Sequence, residues 1–245
     1  MPPDDFDVDF DFAAETPAGK DPDSHSPTLR TYHQLLWSKS TGTGHAIALE
    51  VPSNRSQVYL LHVGAERMVF GSDTITNSYG RWLRPKALVA SITALSEEQR
   101  VRYLNRPYTI ASSMVWPVRS NHRPTINQAR GTRSVIADRM DLTLECIRRH
   151  FGGEDDHPLA NVLQSYDDFF AFFNGFADFV GFFHLQDLVT PDREQVKFWL
   201  PHDDFRRTGT PVSVDEYVSY REGTLEFIER RRARIREWIG AQRDV

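Results

Sequence analysis

The most regular hydrophobic pattern in the chain recurs at Ile136, Met140, Leu144, Ile147 and Phe151. It predicts one amphipathic helix over residues 134–150, closed by Gly152-Gly153. A second helix is expected over 28–39, with Ser26 as N-cap, Pro27 in its first turn and Leu29, Tyr32 and Leu36 on its apolar face. Thr41-Gly-Thr-Gly44 ends it. Residues 46–51, 57–63 and 67–72 then read as three short strands of an antiparallel meander. Helices follow at 74–82, 86–95 and 97–104, then a strand at 108–116 closed by Pro117. Residues 159–188 predict one or two buried helices around Asn174-Gly175, with phenylalanines at 169, 170, 172, 173, 176, 179, 182 and 183. A strand at 196–200 precedes a C-terminal helix over 214–238, opened by the capping box Ser213-x-x-Glu216. Residues 1–18 read as an acidic arm or, because Phe6, Val8, Phe10 and Phe12 alternate with Asp7, Asp9 and Asp11, as an edge strand. No repeat or Gly/Ser linker divides the rest. The expected class is therefore a single α+β domain over 19–245, a small antiparallel sheet packed on a Phe-rich helical core.

Composition narrows the classes. With 40% hydrophobic and 26% charged residues over 245 positions, the chain has the balance of an ordinary globular protein. The net charge of -5 gives no bulk attraction to nucleic acid, and the first sixteen residues hold six acids and no base, leaving the remainder near neutral. The acidic start is no export signal. Asp167, Asp168, Asn174 and Asp178 break the longest apolar stretch short of the roughly 18 residues a membrane helix needs. One cysteine, Cys146, allows neither an internal disulfide nor a multi-thiolate zinc site, which suits a reducing cytoplasm. GxGxxG after a strand, GxxxxGK[ST], HExxH and GxSxG are all absent, and the histidines show no i, i+4 ligand spacing. No metal is indicated, and the cofactor is left open.

Three polar clusters carry candidate chemistry. The loop from Lys20 to His33 runs hydroxyls and amides into a helix N-terminus, a setting that favours phosphate, with Arg30 adding charge and Tyr32 or Trp37 able to stack on a ring. Turn and cap chemistry is its plain alternative. In Thr125-Ile-Asn-Gln-Ala-Arg-Gly131, Asn127 and Gln128 could read a polar edge and Arg130 offers a planar fork for phosphate or carboxylate. The alternatives are a solvated loop, or an Arg130 buried against Asp138 or Asp141. On the following helix Asp141 and Glu145 stand at i, i+4, either a catalytic pair or a wet face on which Glu145 pairs with Arg148 or Arg149. The run Arg230, Arg231, Arg232, Arg234 and Arg236 is interleaved with Glu226, Glu229 and Glu237, as on a solvated helix face.

The segments GKDPDSHSPTLRTYHQLLWSK, TINQARG, DLTLECIRRHF and FFHLQDLV together resemble an uncharacterised bacterial or phage family known only as a domain of unknown function. That resemblance implies one domain and brings no activity with it. His62, Ser72-Asp73 and Asn77-Ser78-Tyr79 also resemble the strand-end His and later Ser and Tyr of ADP-ribosyltransferases, without a partner glutamate. The expectation that follows is a site for a nucleotide or other phosphorylated ligand. Lys20, Arg30, Tyr32, Trp37, Asn127, Gln128 and Arg130 would bind it, and His33, Glu145 or Asp141 would supply any acid–base step. The alternatives are a non-catalytic protein–protein interaction module, a homodimer among its forms, in which these loops and the acidic arm dock a partner chain and Trp82, Trp116 and Trp238 are exposed aromatics, and an ADP-ribosyltransferase-like enzyme.

Overall fold

The computed structural model describes residues 6–52, 58–63, 66–79, 86–104, 108–118 and 124–243. Two short helices open the body, α1 (Pro22–His25) and α2 (Pro27–Trp37), and each begins where a proline follows a capping side chain. Asp21 accepts from Asp23 N–H, and Ser26 Oγ accepts from Leu29 N–H at 2.9 Å. The strands β1 (Leu49–Glu50), β2 (Val58–Val63), β3 (Glu66–Thr74) and β4 (Ser113–Pro117) form one antiparallel sheet in the order β1-β2-β3-β4. Between β3 and β4 lie α3 (Lys86–Thr93) and α4 (Glu97–Leu104). After the sheet come α5 (Ile126–Thr132), α6 (Met140–Phe151), α7 (Ala160–Leu163), α8 (Asp167–Phe170), α9 (Phe176–Phe182) and the long α10 (Val214–Arg243). The α+β class and the Phe-rich core are as the sequence implies.

All eight phenylalanines from Phe169 to Phe183 are buried. Phe179 and Phe183 sit 4.9 Å apart, Phe173 and Phe179 5.3 Å, and Phe70 on β3 meets Phe169 edge-on at 5.7 Å, which ties sheet to helices. Each such ring removed from water contributes about 1.5–3 kcal/mol. A smaller cluster, Tyr79, Leu88, Ile92, Leu95, Tyr103, Leu200, Tyr217 and Tyr220, packs α3 and α4 onto the start of α10.

Several elements differ from the sequence reading, each for a local reason. Residue 74 ends β3 and 75–79 form no helix. Asn77 Oδ1 accepts from Tyr79 N–H at 2.7 Å, and Tyr79 is left-handed at φ +56°, while 80–82 lie outside the described residues. The helix expected from 134 starts at Met140, because Ala137 and Asp138 both adopt positive φ. The strand at 108–116 is shortened by a 3-10 turn, Ile110–Ser112, whose Ser112 hydroxyl donates to Thr109 C=O. At 196–200 only the isolated bridge Val189↔Val196 forms. Residues 6–15 join no strand. Phe6 stacks on Tyr32 at 3.8 Å, Phe12 is buried, and Asp9 pairs with Arg232 and Arg236 of α10.

Candidate functional site

Among the described residues, β2 accompanies β3 only as far as the pair Val58↔Gly71. Ser72, Asp73 and Thr74 run on with β4 as their described neighbour. By strand alternation Ser72 shares the face of Phe70 and Tyr59, and Asp73 points to the other. Two networks reach this strand end, one on each face.

On the Ser72 face, α2 brings His33 beneath the sheet. Its Nε2 lies 2.8 Å from Ser72 Oγ, and its Nδ1 lies 2.8 Å from the indole nitrogen of Trp37. An indole N–H can only donate, so Nδ1 accepts, Nε2 carries the proton and donates to Ser72, and Ser72 donates to Asp23 of α1. His33 is fully buried. Burial first and the Arg231 charge second bring its pKa down to about 3, so it is neutral with both nitrogens occupied. Beside it, with ring centres 5.6 Å apart, Tyr59 is 1% exposed, and its hydroxyl has no hydrogen-bond partner among the described residues. Burial and the Asp23 carboxylate push that phenol well above its usual range, against the pull of Arg30.

On the Asp73 face, Arg130 of α5 is completely buried. It donates to Thr74 C=O at 3.2 Å, Ile75 C=O at 3.3 Å and Asp138 C=O at 3.2 Å, and pairs with the Asp138 carboxylate at 3.3 Å. Asn77 donates to the other Asp138 oxygen at 3.1 Å. Asp73, 3.9 Å from Arg130, keeps a third of its side chain exposed. Burial of the rest of the group, helped by the Asp138 and Asp23 charges, outweighs Arg130 and pushes its carboxyl up to about 8.

The expected site residues divide accordingly. His33 and Arg130 do reach one strand end, from opposite faces, while Arg30 on α2 donates to Pro52 C=O at 3.0 Å. Trp37 and Tyr32 are buried in the core, and the Tyr32 hydroxyl accepts from Asp7 N–H at 2.7 Å, so neither offers a face to a ligand. Lys20 is exposed. Gln128 caps α5 in a capping box with Thr125, in a segment read as loop, and Asn127 follows Ile126 in its first turn. Asp141 is fully buried, held by Arg139 and by Trp199 N–H at 3.0 Å. Glu145 is gripped by Arg148 and Arg149, each at 2.9 Å. Burial opposes its charge, yet those hydrogen bonds hold it below the usual carboxylate range. Each acid is thus engaged by arginines, Asp141 by Arg139 and Glu145 by Arg148 and Arg149. Of the basic residues of the loop that precedes Thr125, Arg119, His122 and Arg123 lie outside the described residues. His62, exposed and paired with Glu50 at 3.1 Å, is ten residues short of Ser72 in sequence and sits near the other end of the hairpin. Trp116 is buried and Trp238 is half-buried, and Trp82 lies outside the described residues. In the arginine run, Arg231 is fully buried rather than solvated, whereas Arg234 pairs with Asp187 and Arg236 with Asp9.

What the sequence reading passed over is Asp23, Tyr59, Asp73 and Asp138 as a group. The available signal was the Ser72-Asp73 dipeptide at a strand's end. No group of three or more His, Cys, Asp or Glu side chains placed to hold a metal occurs among the described residues. No described helix is long and apolar enough to cross a membrane.

This arrangement stands within a span, residues 6–235, that matches the model of a family of unknown function, DUF6994. The chain belongs to that family. The match runs from Phe6, stacked on Tyr32, into α10 and takes in both networks at the end of β3. No curated protein and no solved structure matches the chain.

Proposed function

We propose that the protein is an enzyme of acid–base chemistry acting on a glycosidic ligand, nucleotides being the first class to screen, with Asp73 as the acid and Asp23 as the carboxylate. The observation that carries this reading is that consecutive residues of one strand end hold two carboxyl groups in opposite settings. Ser72 donates to Asp23 and so fixes it as an acceptor, while partial burial, aided by the Asp138 and Asp23 charges, raises the Asp73 carboxyl above the usual carboxylate range despite Arg130 and favours its protonated form. Cleaving a glycosidic bond needs a proton donor for the leaving oxygen and a carboxylate for the developing charge or the incoming water; Asp73 and Asp23 stand on opposite faces of β3, near enough for the Asp23 charge to act on Asp73, so the ligand would lie across the strand end. On the Asp23 side, Arg30 stands near enough to act on the Tyr59 phenol and would meet a ligand phosphate there.

The test is a thermal-shift screen of the whole protein against nucleoside phosphates and simple glycosides at millimolar concentration, with turnover of each stabilising compound followed by NMR. Stabilisation by at least one class, with Asp73→Asn retaining it but losing turnover, is the expected result. Absence of stabilisation by every compound overturns the reading.

A further inference from the structure

Away from β3, a lysine sits in a setting that ion pairing does not explain. Lys39 follows α2, and its Nζ lies 4.7 Å from the centre of the Phe182 ring, 4.9 Å from Trp238 and 5.4 Å from Trp37. Among the described residues its hydrogen-bond partner is His184 Nε2 at 3.2 Å, and no carboxylate pairs with it. Behind it Arg231 is fully buried and gives its hydrogen bonds to three backbone carbonyls, of Ala111 at 2.7 Å, Ser113 at 2.8 Å and Phe183 at 3.1 Å. Carbonyls satisfy the donors but do not cancel the charge. Burial first and this cation second bring Lys39 down to about 7. Burial, Lys39, Arg231 and Arg234 bring His184, held at φ +55°, down to about 2, so its imidazole is neutral and can accept from the amine.

Lys39 lines a cavity of about 500 Å3. The charged groups around that cavity are unequally committed. Arg234 is bound twice by Asp187, at 2.7 and 3.0 Å, and Asp178 accepts from Gly42 N–H at 2.9 Å and Asn174 N–H at 3.0 Å. Glu237 also lines the wall. Arg193 gives one hydrogen bond, to Ala177 C=O at 3.3 Å, and has no carboxylate partner among the described residues. It passes over Gly181, where a Cβ would stand 3.3 Å from its guanidinium.

We propose that Lys39 is a nucleophilic amine that condenses with a small anionic aldehyde or ketone, whose carboxylate or phosphate rests on Arg193. The Nζ lone pair forms a bond to the carbonyl carbon, both N–H protons pass to the carbonyl oxygen, and that oxygen leaves as water. The product is an imine, and nothing is oxidised or reduced. The aromatic walls keep the amine poorly solvated, and His184 holds it in place.

The chain has four lysines, Lys20, Lys39, Lys86 and Lys197, so the adduct is easy to place. Full-length protein is incubated at pH 7.5 with cyanoborohydride and either glyoxylate, glycolaldehyde phosphate or neutral propionaldehyde, and the products are mapped by mass spectrometry. Lys39 should be labelled on the order of a hundredfold faster than the other lysines, with the rate levelling above pH 7 rather than rising to pH 10. The faster of the two anionic probes tells whether carboxylate or phosphate is preferred, and Arg193→Gln should slow both without slowing propionaldehyde. Labelling of Lys39 no faster than of Lys20, Lys86 and Lys197 overturns the proposal. Equal trapping of neutral and anionic probes overturns its anionic half. Both readouts use the wild-type protein, so neither depends on a variant folding.

Discussion

The indole of Trp37 donates to Nδ1 of His33 at 2.8 Å, and this one bond decides which nitrogen of the histidine carries its proton. A base needs a nitrogen free to take a proton from a ligand. His33 has none, since its Nε2 proton is directed at Ser72 and its ring is fully buried. Trp37→Phe should leave Nδ1 buried without a donor and destabilise the fold by about 1–3 kcal/mol in a urea titration, with the tautomer no longer fixed in 15N spectra. Unchanged stability and an unchanged tautomer would show that the bond does not set His33.

His33 and His184 are neutral in the fold but take protons in the unfolded chain once the pH drops below about 6.5. Depressed bases therefore withdraw stability as pH falls, from about 6.5 toward the folded values near 3 and 2. These two groups imply a loss approaching about 2.7 kcal/mol per pH unit below about pH 5.5, and His157, brought down to about 4 chiefly by burial, adds to it. Denaturant midpoints measured from pH 7 to 5 check the slope, and a flat profile contradicts the buried neutral state of these rings.

Arg130 is the residue whose expected role changes most. Its fork is spent on Thr74, Ile75 and Asp138, so Arg130→Lys should lower unfolding free energy by about 2–4 kcal/mol, because a lysine cannot reach all three carbonyls at once. Glu145→Gln, by contrast, should leave any ligand response intact and lose about 1–3 kcal/mol, because it removes the charge from a largely buried clamp while keeping an acceptor for Arg148 and Arg149. Loss of turnover with unchanged ligand stabilisation in the Glu145 variant would restore it as the base.

Gly209 tests the packing of the segment that enters α6. A Cβ there would lie 2.8 Å from Ile136 C=O and 3.0 Å from Leu142, and the Gly209 carbonyl accepts from Arg139. Gly209→Ala should lower stability by about 1–3 kcal/mol through displaced backbone, and a wild-type melting temperature would mean that Ile136 gives way freely.

How much of this was legible follows from the range of the interactions. The start of α2 is written in Ser26-Pro27, and Thr125-x-x-Gln128 marks α5 as plainly, because capping is settled within four residues. The delayed start of α6 is not written locally, since Ala137 and Asp138 take positive φ in a turn that Tyr79, 58 residues away, secures by donating to Ala137 C=O. Arg130 looks the same on paper whether it faces solvent or the carbonyls ending β3. Asp73 is set by Arg130, Asp138 and Asp23, and no local pattern connects those positions.

The proton on Asp73 is the point on which the proposed chemistry turns. Side-chain carboxyl shifts in 13C-aspartate-labelled protein, with Asp73→Asn to assign the signal, read it directly from pH 3 to 10. The expected titration of Asp73 has its midpoint near 8, so that the group is an acid at neutral pH. A midpoint near 4, the value of an ordinary solvated aspartate, would contradict its role as proton donor and with it the acid–base reading of the site.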